Sequence, residues 1–154
     1  YCPRTLITSG YEITLGYGLA TALGAKVAHP DKLVVSLNGD GGFMYNVQEL
    51  ATAVLHNIAV VAIVFNDNAF GNVLRMQKEN YGGRVIATQL RNPDFVKLAE
   101  AFGAIGMRAT NLAELRAALA AALANPAPTL IEVPVGEMPR PHSFMQMTRV
   151  RGKM

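Results

Sequence analysis

The residues best placed to do chemistry lie in two oxygen-rich turns, Asn38-Gly39-Asp40-Gly41-Gly42 and Asn66-Asp67-Asn68-Ala69-Phe70-Gly71. Each follows a short apolar run of the kind that forms a buried strand. Twenty-six residues lie between Asp40 and Asp67, enough for one turn, one helix and one returning strand. A single β-α-β unit can therefore bring both carboxylates to the carboxyl ends of parallel strands, where open sheets bind ligands. Paired hard oxygens suit Mg2+, which prefers octahedral oxygen coordination at ~2.0–2.1 Å and completes its shell with substrate phosphates. Asp40, Asp67 and the backbone carbonyl of Ala69 can supply one face of that shell. Gly41 and Gly42 have a separate task, letting the backbone approach an anion so that amides at the following helix start can hold a diphosphate. Other phosphate loops do not compete. No Walker lysine with serine or threonine follows a glycine-rich loop, and Gly16-Tyr17-Gly18 lacks the third glycine of a dinucleotide fingerprint.

The elements that must carry these turns alternate between helix and strand. Leu15 to Ala28 reads as a helix stopped by His29-Pro30-Asp31, and Leu33 to Leu37 as a buried strand ending in the first glycine turn. Val47, Leu50, Ala51, Val54 and Leu55 recur at helical spacing. Ala59 to Phe65 is an apolar run suited to a parallel strand covered on both faces. Gly71 to Gly83 reads as a helix or mobile loop, and Asn92-Pro93-Asp94 caps a helix reaching about Phe102. Ile105 to Arg108 forms a short strand, Asn111 caps an alanine-rich helix to Ala124, and Thr129 to Val135 gives the last strand. This alternation predicts an α/β fold in three layers, with a mostly parallel central sheet and helices on both faces.

Composition sets the bounds. A chain of 154 residues is one domain's worth of core, 51% is hydrophobic, and only 16% is charged, below the usual ~25%. That excludes disorder and suggests that some apolar surface is covered by a partner. The net charge of +3 is scattered apart from Arg140, Arg149, Arg151 and Lys153, too little for a nucleic-acid footprint. The longest apolar run is too short for a membrane span. The single cysteine, Cys2, excludes an intrachain disulfide and fits a reducing cytoplasm. The opening Tyr1-Cys2-Pro3-Arg4, without an initiator methionine, suggests a piece of a longer polypeptide. Residues 1–136 are expected to form the domain and 137–154 a proline- and methionine-bearing tail.

Gly39-Asp40-Gly41, then Phe43, Gln48-Glu49-Leu50-Ala51-Thr52-Ala53 and Asn66-Asp67 in register, resemble the thiamine diphosphate signature of the acetohydroxyacid synthase and 2-keto acid decarboxylase superfamily. The resemblance runs from about Thr8 to Val135 and is to the C-terminal, diphosphate-binding domain only. It implies thiamine diphosphate and Mg2+ as cofactors, with Asp40, Asp67 and the Ala69 carbonyl on the metal. Gly39, Gly41, Gly42 and the amides near Phe70 and Gly71 would hold the diphosphate. The family more often has asparagine where this chain has Asp67, so the site carries extra negative charge. Leu15, before Gly16-Tyr17-Gly18, would be the apolar wedge that bends the cofactor, and the Ile13 carbonyl would accept from its aminopyrimidine.

The family's catalytic glutamate lies in a pyrimidine-binding domain of another subunit, so no residue of this chain is assigned that role and the chain alone is expected to be inactive. The partners implied are that pyrimidine domain, in the same or another chain, and a 2-keto acid substrate undergoing carboligation or decarboxylation. The alternatives are a small subunit of a two-chain 2-keto acid decarboxylase, or a non-catalytic regulatory module. A homo-oligomer is expected, formed through the Gln48-Glu49 helix and the Leu15 to Ala28 segment. Glu49 reads as a cap-like helix residue, His29 and His56 as helix-end residues, and Arg75 and Gln77 as a solvated helix face. His142 lies in the tail, where a substrate role is the minor reading, and the tail methionines read as packing for a partner.

Overall fold

The structure is a computed structural model that describes residues 3, 5–10 and 14–137. In chain order it comprises α1 (Tyr17–Ala28), β1 (Val35–Gly39), α2 (Asp40–Phe43), α3 (Glu49–Leu55), β2 (Val61–Asn66), α4 (Gly71–Asn80), α5 (Phe95–Ala101), β3 (Ile105–Arg108), α6 (Leu112–Ala124) and β4 (Thr129–Pro134). The four strands form one sheet in the order β1-β2-β4-β3, and all three pairings are parallel. Ile13 and Cys2, with every residue beyond Glu137 including Arg140, His142 and the tail methionines, lie outside the described residues.

Strand alternation sorts the apolar side chains into two layers. Val60, Ala62, Val64 and Leu130 turn to one face, where they meet Leu19 and Leu23 of α1, Leu50 of α3 and Phe95 of α5. Val61, Ile63 and Ile131 turn to the other, against Ala118 and Ala122 of α6. The three-layer α/β expectation holds, with β2 buried along nearly its whole length. β1 differs: it is an edge strand whose Leu37 is 67% exposed, with Val35 also open.

Local chemistry sets most of the boundaries. Asn111 caps α6 by accepting from the Glu114 N–H at 2.9 Å. Asp94, rather than Asn92, caps α5, accepting from the Val96 and Lys97 N–H groups. α1 begins at Tyr17 instead of Leu15 because the preceding Gly16 is left-handed, at φ 87°. β1 starts two residues later than expected because its pairing with β2 opens at Val35↔Val61. The first glycine turn is itself helical: α2 starts at Asp40, directly after β1. His29 and His56 sit at the ends of α1 and α3 as expected, and Glu49 lies in the first turn of α3, accepting from the Thr52 hydroxyl.

α2 is pinned from below. Phe43 is almost wholly buried, and its ring meets that of Phe95 edge-on, with centroids 6.0 Å apart and planes at 69°. Such pairs add to the area they bury. Phe95→Ala is expected to destabilise the protein by about 3–5 kcal/mol, measured by urea denaturation, and a loss below 1 kcal/mol would show that the ring pair does not anchor this corner.

Candidate functional site

The two oxygen-rich turns meet because the register brings them together. Gly39 pairs with Phe65, so the next residues, Asp40 and Asn66, leave neighbouring strand ends side by side, and Asp67 follows. Asp40 is only 2% exposed. Its Oδ2 accepts from the side-chain amide of Asn92 at 2.6 Å. That amide also donates to Asn66 Oδ1 at 2.9 Å and approaches Asn68 Oδ1 at 3.4 Å. Asn66 in turn donates to the buried Glu132 at 2.8 Å, and Glu132 accepts from Arg108 at 2.8 Å.

The second turn is shaped as tightly. The Ala69 N–H donates to Asp67 Oδ1 at 3.1 Å, and Asn68 is left-handed at φ 56°. The turn is clamped by the returning segment: the Phe70 N–H donates to the Thr88 carbonyl and the Leu90 N–H to the Asn68 carbonyl, each at 2.8 Å. The Phe70 amide is therefore already committed to the Thr88 carbonyl. Two glycines of these turns are closely packed. A Cβ on Gly71 would come 2.6 Å from Asp67 Oδ2, and one on Gly41 would come 2.6 Å from the Phe70 ring. Gly71 opens α4, a ten-residue helix with no acidic residue in its first turn, so its N-terminus is left favourable for an anion.

Two concavities border this corner. A groove of about 890 Å³ is lined by Leu15, Ser36, Asn38, Gly39 and Gly42, among others. A smaller hollow of about 370 Å³ lies beside Gly41, Phe70, Leu90 and Asn92. Leu15 is half-exposed and reaches towards Gly42. The structure thus brings Leu15, Gly39, Asp40, Gly41, Gly42, Asp67, Ala69, Phe70 and Gly71 to one end of the sheet. Gln77 belongs elsewhere: it holds both the N–H and the carbonyl of Ile86, tying α4 to the returning segment rather than forming a solvated face.

Residues 1–133 match a family model described as the C-terminal TPP-binding domain of thiamine pyrophosphate enzymes. The chain belongs to that family. Thiamine pyrophosphate is the diphosphate named above, so the chain is a TPP-binding domain. Among its relatives, the mitochondrial acetolactate synthase catalytic subunit of Aspergillus candidus is 44% identical over 131 residues, covering 85% of this chain and 19% of that protein. The acetolactate synthase isozyme 3 large subunit of Escherichia coli is 40% identical over 122 residues, 79% of this chain and 21% of its own length. The chloroplastic acetolactate synthase 2 of Nicotiana tabacum is 38% identical over 139 residues, 85% and 21% respectively. The chain thus spans about a fifth of the length of these relatives. Among the described residues, no helix of this TPP-binding domain is long and apolar enough to cross a membrane.

Two residues of the acid corner escaped the sequence reading. Asn92 looks like a helix cap in the sequence, whereas it is the donor that holds Asp40. Glu132 did leave a signal, since a carboxylate inside a strand buried on both faces must be paired. Burial raises the Asp67 carboxyl above its ordinary range, and the charge of Asp40 adds to this against the opposing Ala69 N–H. A carboxyl raised on folding penalises the folded state wherever it is ionised, and the penalty vanishes below its unfolded pKa. In metal-free buffer Asp67→Asn is therefore expected to melt above wild type at neutral pH, with the margin closing as pH falls through the carboxylate range. Thermal melts with a chelator across that range test this, and an equal or lower Tm at neutral pH would contradict it.

Proposed function

We propose that Asp40, Asp67 and the Ala69 carbonyl hold Mg2+, and that the metal in turn anchors the diphosphate of TPP. The observation that carries this reading is the Gly39–Phe65 register, which sets two carboxylates at adjoining strand ends. The donor set fits: two hard carboxylates, Asp40 buried and Asp67 half-buried, whose like charges a divalent cation would offset. Gly71 fits as well, because it keeps the carboxylate of Asp67 beside the start of α4. Gly39, Gly42 and Gly71 leave the backbone open to the diphosphate, while Gly41 lets the Phe70 ring pack directly over the first turn. Leu15 serves as the apolar wedge in the groove beside Gly42, and the Ile13 carbonyl as acceptor for the aminopyrimidine. TPP supplies the carbanion chemistry beside a 2-keto acid carbonyl, while this chain's residues bind and orient it.

The whole enzyme, on this reading, is acetolactate-synthase-like and acts on 2-keto acids by carboligation or decarboxylation in the cytoplasm. It requires a pyrimidine-binding domain from the same or another chain. Exposed apolar side chains include Val27 on α1 and Leu55 on α3 as well as Leu6, Ile7, Leu33 and Leu37, which supports a homo-oligomer formed through the Gln48-Glu49 helix and the Leu15 to Ala28 segment, with β1 as a further apolar surface. By itself the 154-residue chain is expected to give no turnover of a 2-keto acid with saturating Mg2+ and TPP, since the glutamate that activates the aminopyrimidine is assigned to the pyrimidine-binding domain. Steady decarboxylation by the purified chain would contradict this.

Asp40→Ala and Asp67→Ala are each expected to abolish Mg2+-dependent TPP binding in calorimetric titrations while circular dichroism stays native. Asp67→Asn should retain binding, because it keeps the oxygen. Unchanged affinity in both alanine variants would remove the site.

A further inference from the structure

We propose that Glu132 is a positioning residue for the acid corner, acting through the side-chain amides of Asn66 and Asn92. The proposal rests on the reading of Asp40 and Asp67 as the metal site. Glu132 lies on β4, between β2 and β3, and is 4% exposed. One of its oxygens accepts from Arg108 Nε and the other from Asn66 Nδ2, both at 2.8 Å. Arg108 sits opposite Glu132 in the β3–β4 register and also reaches Asp94 at 2.8 Å. The buried charge is thus compensated from the rim of the sheet, as such a charge must be.

The polarity of the chain of hydrogen bonds follows from what each group can do. An ionised carboxylate only accepts, so Glu132 obliges Asn66 to present its NH2 and fixes the orientation of that amide. Asn66 Oδ1 is then turned towards the site, where it accepts from Asn92 at 2.9 Å and from the Asn68 N–H at 3.2 Å. Asn92 has two amide protons, and its other strong bond goes to Asp40 Oδ2. Asp40 is again acceptor-only, so the sequence Glu132, Asn66, Asn92, Asp40 has one self-consistent arrangement. A neutral amide at Asn92 also suits the place. It orients Asp40 without bringing a positive charge that would compete with a cation.

The test is Mn2+ titration by electron paramagnetic resonance with TPP present, on the full chain, for Asp40→Ala, Asn92→Ala, Glu132→Gln and the double variant Asn92→Ala/Glu132→Gln, with circular dichroism melts as a separate readout of folding. Residues that orient metal ligands typically affect affinity by about 10–100-fold, so Glu132→Gln and Asn92→Ala are each expected to weaken Mn2+ at least about tenfold. Because Glu132 acts through Asn92, the double variant should bind no more weakly than Asn92→Ala alone; two independent effects would multiply. If Glu132→Gln folds poorly, Glu132→Asp keeps the acceptor-only charge with shorter reach, and its loss should likewise vanish in the Asn92→Ala background. Wild-type affinity in Glu132→Gln, or multiplied losses in the double variant, with Asp40→Ala abolishing binding, would overturn the positioning role alone. Wild-type affinity in Asp40→Ala would overturn the metal site and this role with it.

Discussion

Two carboxylates held side by side in a half-buried corner repel each other, and much of this structure follows from how that repulsion is managed. At an effective dielectric near 20, like charges 4 Å apart cost about 4 kcal/mol. A hydrogen bond to a charged group returns about 1.5–3 kcal/mol. The amide of Asn92 orients Asp40, while the Asp67 carboxyl is raised first by burial and then by the neighbouring charge of Asp40. A divalent cation can offset it. On the proposed reading, that electrostatic deficit is what a bound cation would relieve.

Holding such a deficit requires a stiff support. The parallel register fixes both strand ends, and the Phe43–Phe95 ring pair holds α2 down from the core side. The segment around Thr88 and Leu90 clamps the second turn from outside. On the far side, the buried Glu132 and the rim cation Arg108 keep the amide of Asn66 in one orientation. Helices cover both faces of the sheet, but α6 covers only the β2–β4–β3 side of its second face. β1 is left with Leu37 open, so the strand that leads into Asp40 also has apolar surface to offer a neighbour.

How much of this could be read from the sequence depended on distance along the chain. Asp40 and Asp67 were legible because one β-α-β unit spans them and glycines mark both turns. The cap at Asn111 was legible because a cap is a local bond. Asn92 was not: it lies beside a proline in a capping pattern, and its real partners are 52 and 26 residues away. The helical start at Asp40 was hidden because two consecutive glycines argue for a turn, and only packing of Phe43 against Phe95 decides otherwise. The Phe70 amide looked available because its acceptor, Thr88, lies beyond α4. Local chemistry was visible, and long-range hydrogen bonding was not.

The strand order has a consequence for the protein's biosynthesis. β4 is the last of the described strands but occupies an interior place, with β2 on one side and β3 on the other. Until residues 129–134 have left the ribosome, β2 exposes a hydrogen-bonding edge along one of the most apolar stretches of the sequence, and β3 has no strand to pair with. An emerging chain in that condition is a template for unwanted pairing. The interval between synthesis of β2 and arrival of β4 is thus when aggregation threatens most, and chaperone protection would matter most there.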